Sequence, residues 1–100
     1  MPHVSRMSYG VYILRCADNT YYTGLTNDLE RRVATHNAGR GARYTRSRLP
    51  VEALFWWDNL SKRDAYRVEW MIKQLSRTQK QCLIDGDERL LNRLKKRLVA

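Results

Sequence analysis

The sequence predicts an α+β fold in which a three-stranded antiparallel sheet is flanked by helices, and three observations lead to that prediction. Residues 9–26 form two runs of apolar, aromatic and β-branched residues around a short polar turn, the pattern of a β-hairpin. Residues 51–58 form a third such run, rich in aromatic side chains. Apolar residues recur at helical spacing in the remaining segments, 28–38, 61–76, 78–85 and 87–98.

The length and composition favour a single folded domain. One hundred residues suffice for one compact core and are too few for two. A content of 43% hydrophobic and 29% charged residues is that of a globular chain. We expect a frayed tail over residues 1–8, a domain over residues 9–85, and an added amphipathic helix within residues 86–100.

The register of the first hairpin decides which of its tyrosines share a face. A two-residue turn would place Tyr12 and Tyr22 on opposite faces of the sheet. A three-residue turn over residues 17–19, with Asn19 in the left-handed conformation, pairs Tyr12 with Gly24 and puts both tyrosines on one face. We expect this second register, in which Gly24 leaves room for the ring of Tyr12.

The helix over residues 28–38 directs two polar side chains along its apolar side. Asn27, followed by a Glu three positions later, or Asp28 offers the N-cap. On a helical wheel, Arg32 and His36 fall within the apolar arc of about 100° that should face the sheet, whereas Arg31 points away. Taken alone, Arg32 is equally well explained as a surface side chain. A lone His at a helix edge more often satisfies a nearby backbone group than takes part in catalysis.

Residues 39–50 are predicted to form a basic loop. From Arg31 to Arg48 the chain has six Arg and no acidic residue. Although a charge run is most often only a solvated face, Arg interleaved with an aromatic residue suits a segment that binds phosphates and stacks on a base. We expect nucleic acid to contact Arg31, Arg40, Arg43, Tyr44, Arg46 and Arg48.

The overall charge indicates a polyanionic partner. The formal net charge is +9, the pI is about 10.1, and fourteen of the nineteen basic residues are Arg, whose planar guanidinium matches phosphate oxygens. Nucleic acid is therefore the first candidate and an anionic membrane the second. The sequence has no apolar run of transmembrane length and no signal-peptide pattern at its start, so we expect a cytoplasmic protein that does not enter membranes.

The tryptophans and cysteines are interpreted as packing residues. Trp56 and Trp57 in the third strand, together with Trp70, belong to a residue type that is more often found in cores than as a stacking platform. Cys16 and Cys82 have neither a Cys-x-x-Cys pair nor a nearby His, and we expect both to be buried small hydrophobes.

The two later helices are less informative about function. Ser61 is expected to cap the helix that carries Glu69, which lies beside the buried stripe and among basic residues. By position alone, a helix-surface ion pair is the favoured interpretation of Glu69. Asp87 is expected to cap the last helix, whose leucines alternate with Arg and Lys. That helix can pack on the domain, contact a protein partner or a second copy, or bind nucleic acid, and the sequence does not choose among these.

Two short motifs place their tyrosines ten residues apart. Gly10-Val11-Tyr12 is followed by Tyr22-Thr23-Gly24, and then by an Arg and a His on one helix and a Glu on another. The sequence has no P-loop, no zinc-ligand spacing and no Ser-based nucleophile elbow. In this order and spacing the chain resembles the GIY-YIG nuclease family over roughly residues 9–85, with Gly10 and Gly24 as structural residues of the two motifs.

The resemblance implies a metal-dependent DNA endonuclease that acts structure-selectively in DNA repair, recombination or processing. It implies that Glu69 binds one divalent ion, Mg²⁺ or Mn²⁺, and that Tyr12 takes the proton of the attacking water while Tyr22 positions the water or the phosphate. It further implies that Arg32 stabilises charge on the phosphoryl oxygens and that His36 lies near the scissile phosphate. Arg32 and the bound metal should lower the pKa of the tyrosine.

Two departures from the family pattern leave an alternative open. Many relatives have Lys where this chain has Leu25, and an Asn that relatives often carry beyond the metal ligand is matched only approximately by Gln79 or Gln81. We also expect no second DNA-binding domain of the kind that larger family members have. The alternative is a non-catalytic nucleic-acid-binding module on the same scaffold, and RNA remains a second candidate beside DNA.

Overall fold

The computed structural model describes residues 9–99 and has the predicted α+β architecture. The sheet contains β1 (Tyr9–Arg15), β2 (Tyr21–Thr26) and β3 (Glu52–Leu60) in the order β2-β1-β3, and both neighbouring pairs are antiparallel. The helices of the described residues are α1 (Leu29–Asn37), α2 (Arg43–Arg46), α3 (Lys62–Lys73), α4 (Arg77–Ile84) and α5 (Glu88–Val99). The segment expected to form a frayed tail, residues 1–8, lies outside the described residues.

The hairpin of β1 and β2 has the predicted three-residue turn. Asn19 adopts the left-handed conformation with a φ of 67°, and its N–H donates to the carbonyl of Cys16 at 2.9 Å. Tyr12 is consequently paired with Gly24 across the two strands. Because side chains alternate along a strand, Tyr12 and Tyr22 project from the same face of the sheet.

The two faces of the sheet carry separate cores. One face, with Val11 and Ile13, packs against α3, α4 and α5 in a core that also contains Leu60, Ala65, Val68, Met71, Ile72, Leu83, Leu90 and Leu94. The opposite face, with Tyr12 and Leu14, packs under the partly buried apolar residues of α1. The sheet is therefore a middle layer, and the buried tyrosine of β1 faces α1.

The caps explain where the helices begin. The hydroxyls or carboxylates of Ser61 and Asp87 accept the N–H groups three positions later at 3.0 and 3.1 Å, as expected. At α1 the cap is Asp28, whose carboxylate accepts the N–H of Arg31 at 3.2 Å. Of the two candidate caps, Asn27 does not form the capping box; the N–H of Asp28 donates to Thr26 Oγ1 at 3.1 Å, and the helix starts after Asp28.

The boundary between α3 and α4 differs from the prediction. The helix expected to reach residue 76 ends at Lys73, because Ser76 is the N-cap of α4 and has the extended backbone of a cap. Ser76 and Gln79 form a capping box, with reciprocal hydrogen bonds of 3.0 and 3.1 Å. This box was not predicted, and the helix begins one residue earlier than expected.

Three further expectations are corrected by the structure. Residues 39–50 are not only a loop, because one turn of helix, α2, lies within them and buries Thr45 completely. Trp70 is 59% exposed, because it lies two positions from Val68 and hence about 160° from that buried residue around the helix. Cys16 is buried as expected, but Cys82 is only half-buried, at the margin of the core that contains Leu83.

The C-terminal helix packs on the rest of the chain. Leu90 and Leu94 of α5 are 5% and 2% exposed and belong to the larger core, with Leu91 and Leu98 beside them. Packing is therefore one of the roles this helix has. Among residues 9–99 there is no helix that combines the length and the apolar character needed to span a membrane.

Candidate active site

Tyr12 lies at the centre of the candidate site. It comes from the middle strand, its side chain is 1% exposed, and its hydroxyl accepts a hydrogen bond from Arg32 Nε at 3.4 Å. The same hydroxyl is 3.0 Å from His36 Nε2. A Cβ on Gly24 would overlap the Tyr12 hydroxyl, so the ring can lie across β2 only because this position is Gly. Gly10 likewise accommodates the ring of Trp56.

A hydrogen-bond chain fixes the orientation and tautomer of His36. The ring is fully buried, and its Nδ1 is 2.8 Å from Thr45 Oγ1, whose own proton goes to the carbonyl of Ala42 at 2.9 Å. Thr45 then has to accept from His36 Nδ1–H, which leaves Nε2 as the acceptor for the hydroxyl proton of Tyr12. The N–H of Ala42 also approaches Nδ1, at 3.4 Å, but the two shorter contacts favour the first arrangement. In this arrangement His36 Nε2 accepts a hydrogen bond from the Tyr12 hydroxyl.

Neighbouring aromatic rings form one wall of the site. The ring centroid of Tyr22 lies 5.5 Å from that of His36 and 6.4 Å from that of Tyr12. Tyr44 of α2 stacks on Tyr22 at 6.0 Å with an interplanar angle of 20°. The guanidinium of Arg48 lies 3.9 Å from the centroid of Tyr44. This wall places an exposed aromatic residue of the basic segment directly beside the buried pair.

The environment moves the pKa values of the central pair apart. Burial raises the pKa of Tyr12 above its usual 10.0; the hydrogen bond and charge of Arg32 oppose this increase, while Tyr22 and Glu69 add to it. Burial and the charge of Arg32 lower the pKa of His36 below 6.5. At neutral pH the phenol is protonated and the imidazole is neutral. Arg32 acts in the expected direction, toward a lower pKa of Tyr12, but burial outweighs it and the pKa is raised overall.

Glu69 is placed differently from the other four residues. Tyr12, Tyr22, Arg32 and His36 lie together between the sheet and the α1–α2 segment, whereas α3, which carries Glu69, packs on the opposite face. The helix of Glu69 therefore lies on the other face of the sheet from the two tyrosines. Its carboxylate is nevertheless close enough to raise the pKa of Tyr12.

The residues around Glu69 fit a metal ion only in a particular way. Within residues 9–99 there is no group of three or more His, Cys, Asp or Glu that could hold a metal. The side chain of Glu69 is 20% exposed, and its Oε2 is 3.4 Å from Lys73 Nζ, so the ion pair favoured by sequence position is present. Mg²⁺ often binds proteins through one or two carboxylates, retaining several waters and using substrate phosphate oxygens. The single accessible carboxylate of Glu69 fits that mode of binding, and does not fit a site built from three or more protein ligands.

The two glutamines near the family's Asn position are occupied elsewhere. Gln79 completes the capping box of α4. Gln81 accepts the hydroxyl of Tyr21 and donates to Asp85 at 3.1 Å. Neither amide is therefore a free ligand beside Glu69.

The basic residues predicted to bind nucleic acid fall into two groups. The side chain of Arg48 is engaged, because it donates to Asp18 Oδ2 at 3.0 Å and to the carbonyl of Tyr44 at 2.7 Å, and it thereby holds the ring of Tyr44. The others are exposed and form no salt bridge within the described part of the chain: Arg31, Arg40, Arg43 and Arg46. All four are available to phosphates, and Arg43 and Arg46 lie on α2 beside Tyr44 of the wall.

Sequence reasoning missed Thr45 as a site residue. Its hydroxyl is the partner that orients His36, and a Cβ on Gly41 would overlap the His36 ring, so the turn before α2 is shaped around the imidazole. A single helical turn has no periodicity that a sequence pattern can report. Residues 41–45 also resemble the family sequence, and that resemblance was the available signal for Thr45.

Comparisons with known proteins agree with this geometry. A family model described as the GIY-YIG catalytic domain matches residues 8–81. A UPF0213 protein of Halobacterium salinarum is 56% identical over 73 residues, which cover 73% of this chain and 95% of the relative. The UPF0213 protein YsiG of Lactococcus lactis is 52% identical over 80 residues, which cover 79% of this chain and 77% of the relative.

Two solved structures are similar as well. The solution NMR structure of a UPF0213 protein from Bacillus halodurans has 44% identity and a TM-score of 0.51, and the match covers 79% of this chain and 84% of that one. The solution NMR structure of a protein from E. faecalis has 34% identity and a TM-score of 0.55, with coverage of 81% and 86%. The similarity therefore extends over both tyrosine motifs and most of the fold.

Proposed function

The chain belongs to the GIY-YIG family of catalytic domains, and on this premise we propose that it is a metal-dependent endonuclease that hydrolyses DNA phosphodiester bonds. The observation that carries the proposal is the position of the Tyr12 hydroxyl between Arg32 Nε, at 3.4 Å, and His36 Nε2, at 3.0 Å. A proton acceptor and a fixed cation within reach of one hydroxyl are what an attack by water on a phosphodiester requires.

The chain's own residues supply the proton transfer. As the water oxygen forms its bond to phosphorus, its proton passes to the Tyr12 oxygen while the Tyr12 proton moves to His36 Nε2. The bond from phosphorus to the leaving oxygen then breaks, with Arg32 stabilising the negative charge on the phosphoryl oxygens. Because the proton of Tyr12 has an acceptor, this route needs no free phenolate, which the raised pKa of Tyr12 disfavours.

Glu69 is the residue that would hold Mg²⁺ or Mn²⁺, with waters and substrate phosphate completing the ligand set. Such an ion supplies Lewis-acid stabilisation of the leaving oxygen when it is bound. Lys73 has to give up its contact with Glu69 Oε2 for this to occur. The ion pair is exposed enough at Lys73, which is 50% exposed, for that exchange to have a small energetic cost.

The basic segment beside the aromatic wall would hold the DNA. Tyr44 offers a ring that is already positioned by Tyr22 and Arg48, and the exposed guanidiniums of Arg31, Arg40 and Arg43 suit phosphates. A net charge of +9 favours fast, salt-dependent association with any nucleic acid. A structure-selective role in DNA repair, recombination or processing, in the cytoplasm, is part of the proposal.

The proposal is tested by cleavage of supercoiled plasmid and branched DNA with Mg²⁺ and with EDTA. Glu69→Ala should abolish metal-dependent nicking while the protein still binds DNA. Glu88→Ala, which removes an exposed carboxylate from the first turn of α5, is the matched control and should cleave like the parent. Metal-independent cleavage, or full activity in Glu69→Ala, would contradict the assignment of Glu69.

A non-catalytic nucleic-acid-binding module is the second candidate. The observations in its favour are the ion pair that occupies Glu69 and the lack of a three-ligand cluster in residues 9–99. This candidate predicts salt-dependent DNA binding by the parent and by Glu69→Ala, with no metal-dependent cleavage by either. The same plasmid assay separates the two.

A further inference from the structure

Helix α3 exposes two large aromatic side chains that the proposed catalytic site does not use. Tyr66 is 54% exposed and Trp70 is 59% exposed. They are four residues apart on the helix, so they lie about 40° from each other on one face. The apolar residues of α3 point into the core on the other side, and neither exposed ring contributes to it. Aromatic rings exposed in this way on a helix are available to a ligand.

The same face of α3 is strongly basic. On a helical wheel, four basic residues lie within about 100° of Tyr66, and all four are exposed: Lys62, Arg63, Arg67 and Lys73. The acidic residue on this face is Glu69, at its edge, since Asp64 lies on the other side of the helix. Lys73 is paired with Glu69, whereas the other three cations form no salt bridge within the described residues. Rings interleaved with such cations are the combination that single-stranded nucleic acid favours.

A surface cavity lies between this face and the end of α5. Its volume is about 330 Å³, and it is lined by Tyr66, Arg67, Trp70, Met71 and Arg97. This volume is at the lower end of the range of about 300–1,000 Å³ for small-molecule sites, and is suited to one nucleotide unit rather than a protein loop. The guanidiniums of Arg67 and Arg97 border the rings, where they can contact the phosphates of a strand whose base is stacked.

We propose that the exposed face of α3, with Arg97 of α5, binds an unpaired nucleotide strand by stacking bases on Tyr66 and Trp70 and pairing phosphates with the surrounding cations. The ligand is unpaired because a base within a duplex already stacks on its neighbours and offers no free face. Charge favours this ligand over a protein partner, since the helix face and the whole chain, at +9, are basic. Neither ring of this site is a proposed catalytic residue, and the site extends beyond the proposed function.

The site also bears on the form of the DNA substrate. Glu69 lies about 100° from Trp70 around the same helix, at the border between this face and the proposed catalytic centre. If the proposed function holds, a strand bound on α3 runs past Glu69, the residue that would bind the metal. The preferred substrate then has an unpaired segment next to a duplex.

Binding is measured by fluorescence anisotropy in EDTA. Because EDTA removes the divalent metal, the result does not depend on whether the protein is a nuclease. The probes are a labelled oligothymidylate of about 12 nucleotides, an oligouridylate of the same length, and a labelled blunt duplex. Trp70→Leu keeps an apolar side chain but removes the ring, and should weaken oligothymidylate binding at least about five-fold. Trp70→Phe should lose less, and duplex affinity should change less than about two-fold. If the substitution weakens the binding of oligothymidylate and oligouridylate equally, the site does not distinguish deoxyribose from ribose.

The charged part of the site has a matched control on α5. Arg97→Gln should weaken oligothymidylate binding and reduce its salt dependence by about one phosphate contact. Lys95→Gln removes the same charge from the other side of α5, where Lys95 borders Phe55 and Leu91, and should have the smaller effect. Equal effects of the two substitutions would show a general charge effect and would contradict a site at Arg97.

Two outcomes would overturn the proposal outright. One is that Trp70→Leu binds oligothymidylate as tightly as the parent. This result would overturn the proposal even if sedimentation showed that Trp70→Leu changes the self-association of the chain. The other is an equal loss of duplex and single-strand binding. Intrinsic fluorescence provides a second readout on a folded protein: oligothymidylate should quench the parent, and Trp70→Phe should remove most of the quenching, because Trp56 and Trp57 are less exposed.

Discussion

Replacing Thr45 by Val removes one hydroxyl from a fully buried position and nearly preserves its shape. The hydroxyl makes two hydrogen bonds, one of 2.8 Å from His36 Nδ1 and one of 2.9 Å to the carbonyl of Ala42. Each buried partner that loses its hydrogen bond costs about 1–3 kcal/mol. The imidazole can recover part of this by accepting the Ala42 N–H, now 3.4 Å away. We expect the free energy of unfolding to fall by about 2–3 kcal/mol, and the protein to remain folded.

The effect on cleavage is expected to exceed the effect on folding. With Nδ1 as an acceptor, His36 Nε2 carries the proton and can no longer take the proton of Tyr12. Loss of one proton-transfer step lowers a rate by about 10²–10⁴-fold, and we expect single-turnover DNA cleavage by Thr45→Val to fall by about 10²-fold. The tautomer is measured independently from the ¹⁵N chemical shifts of the His36 ring.

Two variants make this prediction specific. Thr45→Ser retains the hydroxyl and should restore both the tautomer and most of the rate. Thr35→Val removes a hydroxyl from the same region that bonds the carbonyl of Arg31 and does not touch His36, so it should cleave normally. The reasoning would be refuted if Thr45→Val cleaved at the parental rate, or if its His36 tautomer were unchanged.

Three further predictions concern stability and are measured by urea unfolding. Gly24→Ala should lower the free energy of unfolding by about 1–3 kcal/mol, because the added Cβ overlaps the Tyr12 hydroxyl. The free energy of unfolding should fall as the pH drops below 6.5, by at most about 1.4 kcal/mol per pH unit. The cause is that His36 binds a proton in the unfolded chain at a pH where its lowered pKa keeps it neutral in the folded chain. His36→Gln should flatten this pH dependence. Thr23 Oγ1 is buried without a hydrogen-bond partner in residues 9–99, so Thr23→Val should raise the free energy of unfolding by about 1 kcal/mol. Thr20→Val is the contrasting variant and should lower it, because the Thr20 hydroxyl donates a 2.6 Å hydrogen bond to Asp18.

The strand register could be predicted because local chemistry determines it. Asn is one of the few non-Gly residues that tolerates the left-handed conformation, so Asn19 fixed a three-residue turn. Once the turn was set, the pairing of Tyr12 with Gly24 and the shared face of Tyr12 and Tyr22 followed from alternation alone. The face of α1 that points toward the sheet was equally predictable, because helical spacing alone places Arg32 and His36 on it.

The parts of the site that depend on tertiary packing could not be predicted. No sequence pattern states which face of a sheet a helix covers, and the helix of Glu69 proved to pack opposite the tyrosines. Thr45 lies in one turn of helix, too short for a periodic signal. Residue type alone suggested that Trp70 was buried, but its position relative to Val68 on the helix exposes it.

The central claim is that the Tyr12 hydroxyl, held between Arg32 and His36, is the group that takes the proton of the attacking water. The single-turnover rate of DNA cleavage by Tyr12→Phe in Mg²⁺ tests this most directly, because the substitution removes only that hydroxyl, and Tyr9→Phe is a control outside the site. The account predicts a fall of at least about 10²-fold for Tyr12→Phe with DNA affinity within about two-fold of the parent. Cleavage by Tyr12→Phe at the parental rate, or no cleavage by the parent itself, would contradict it.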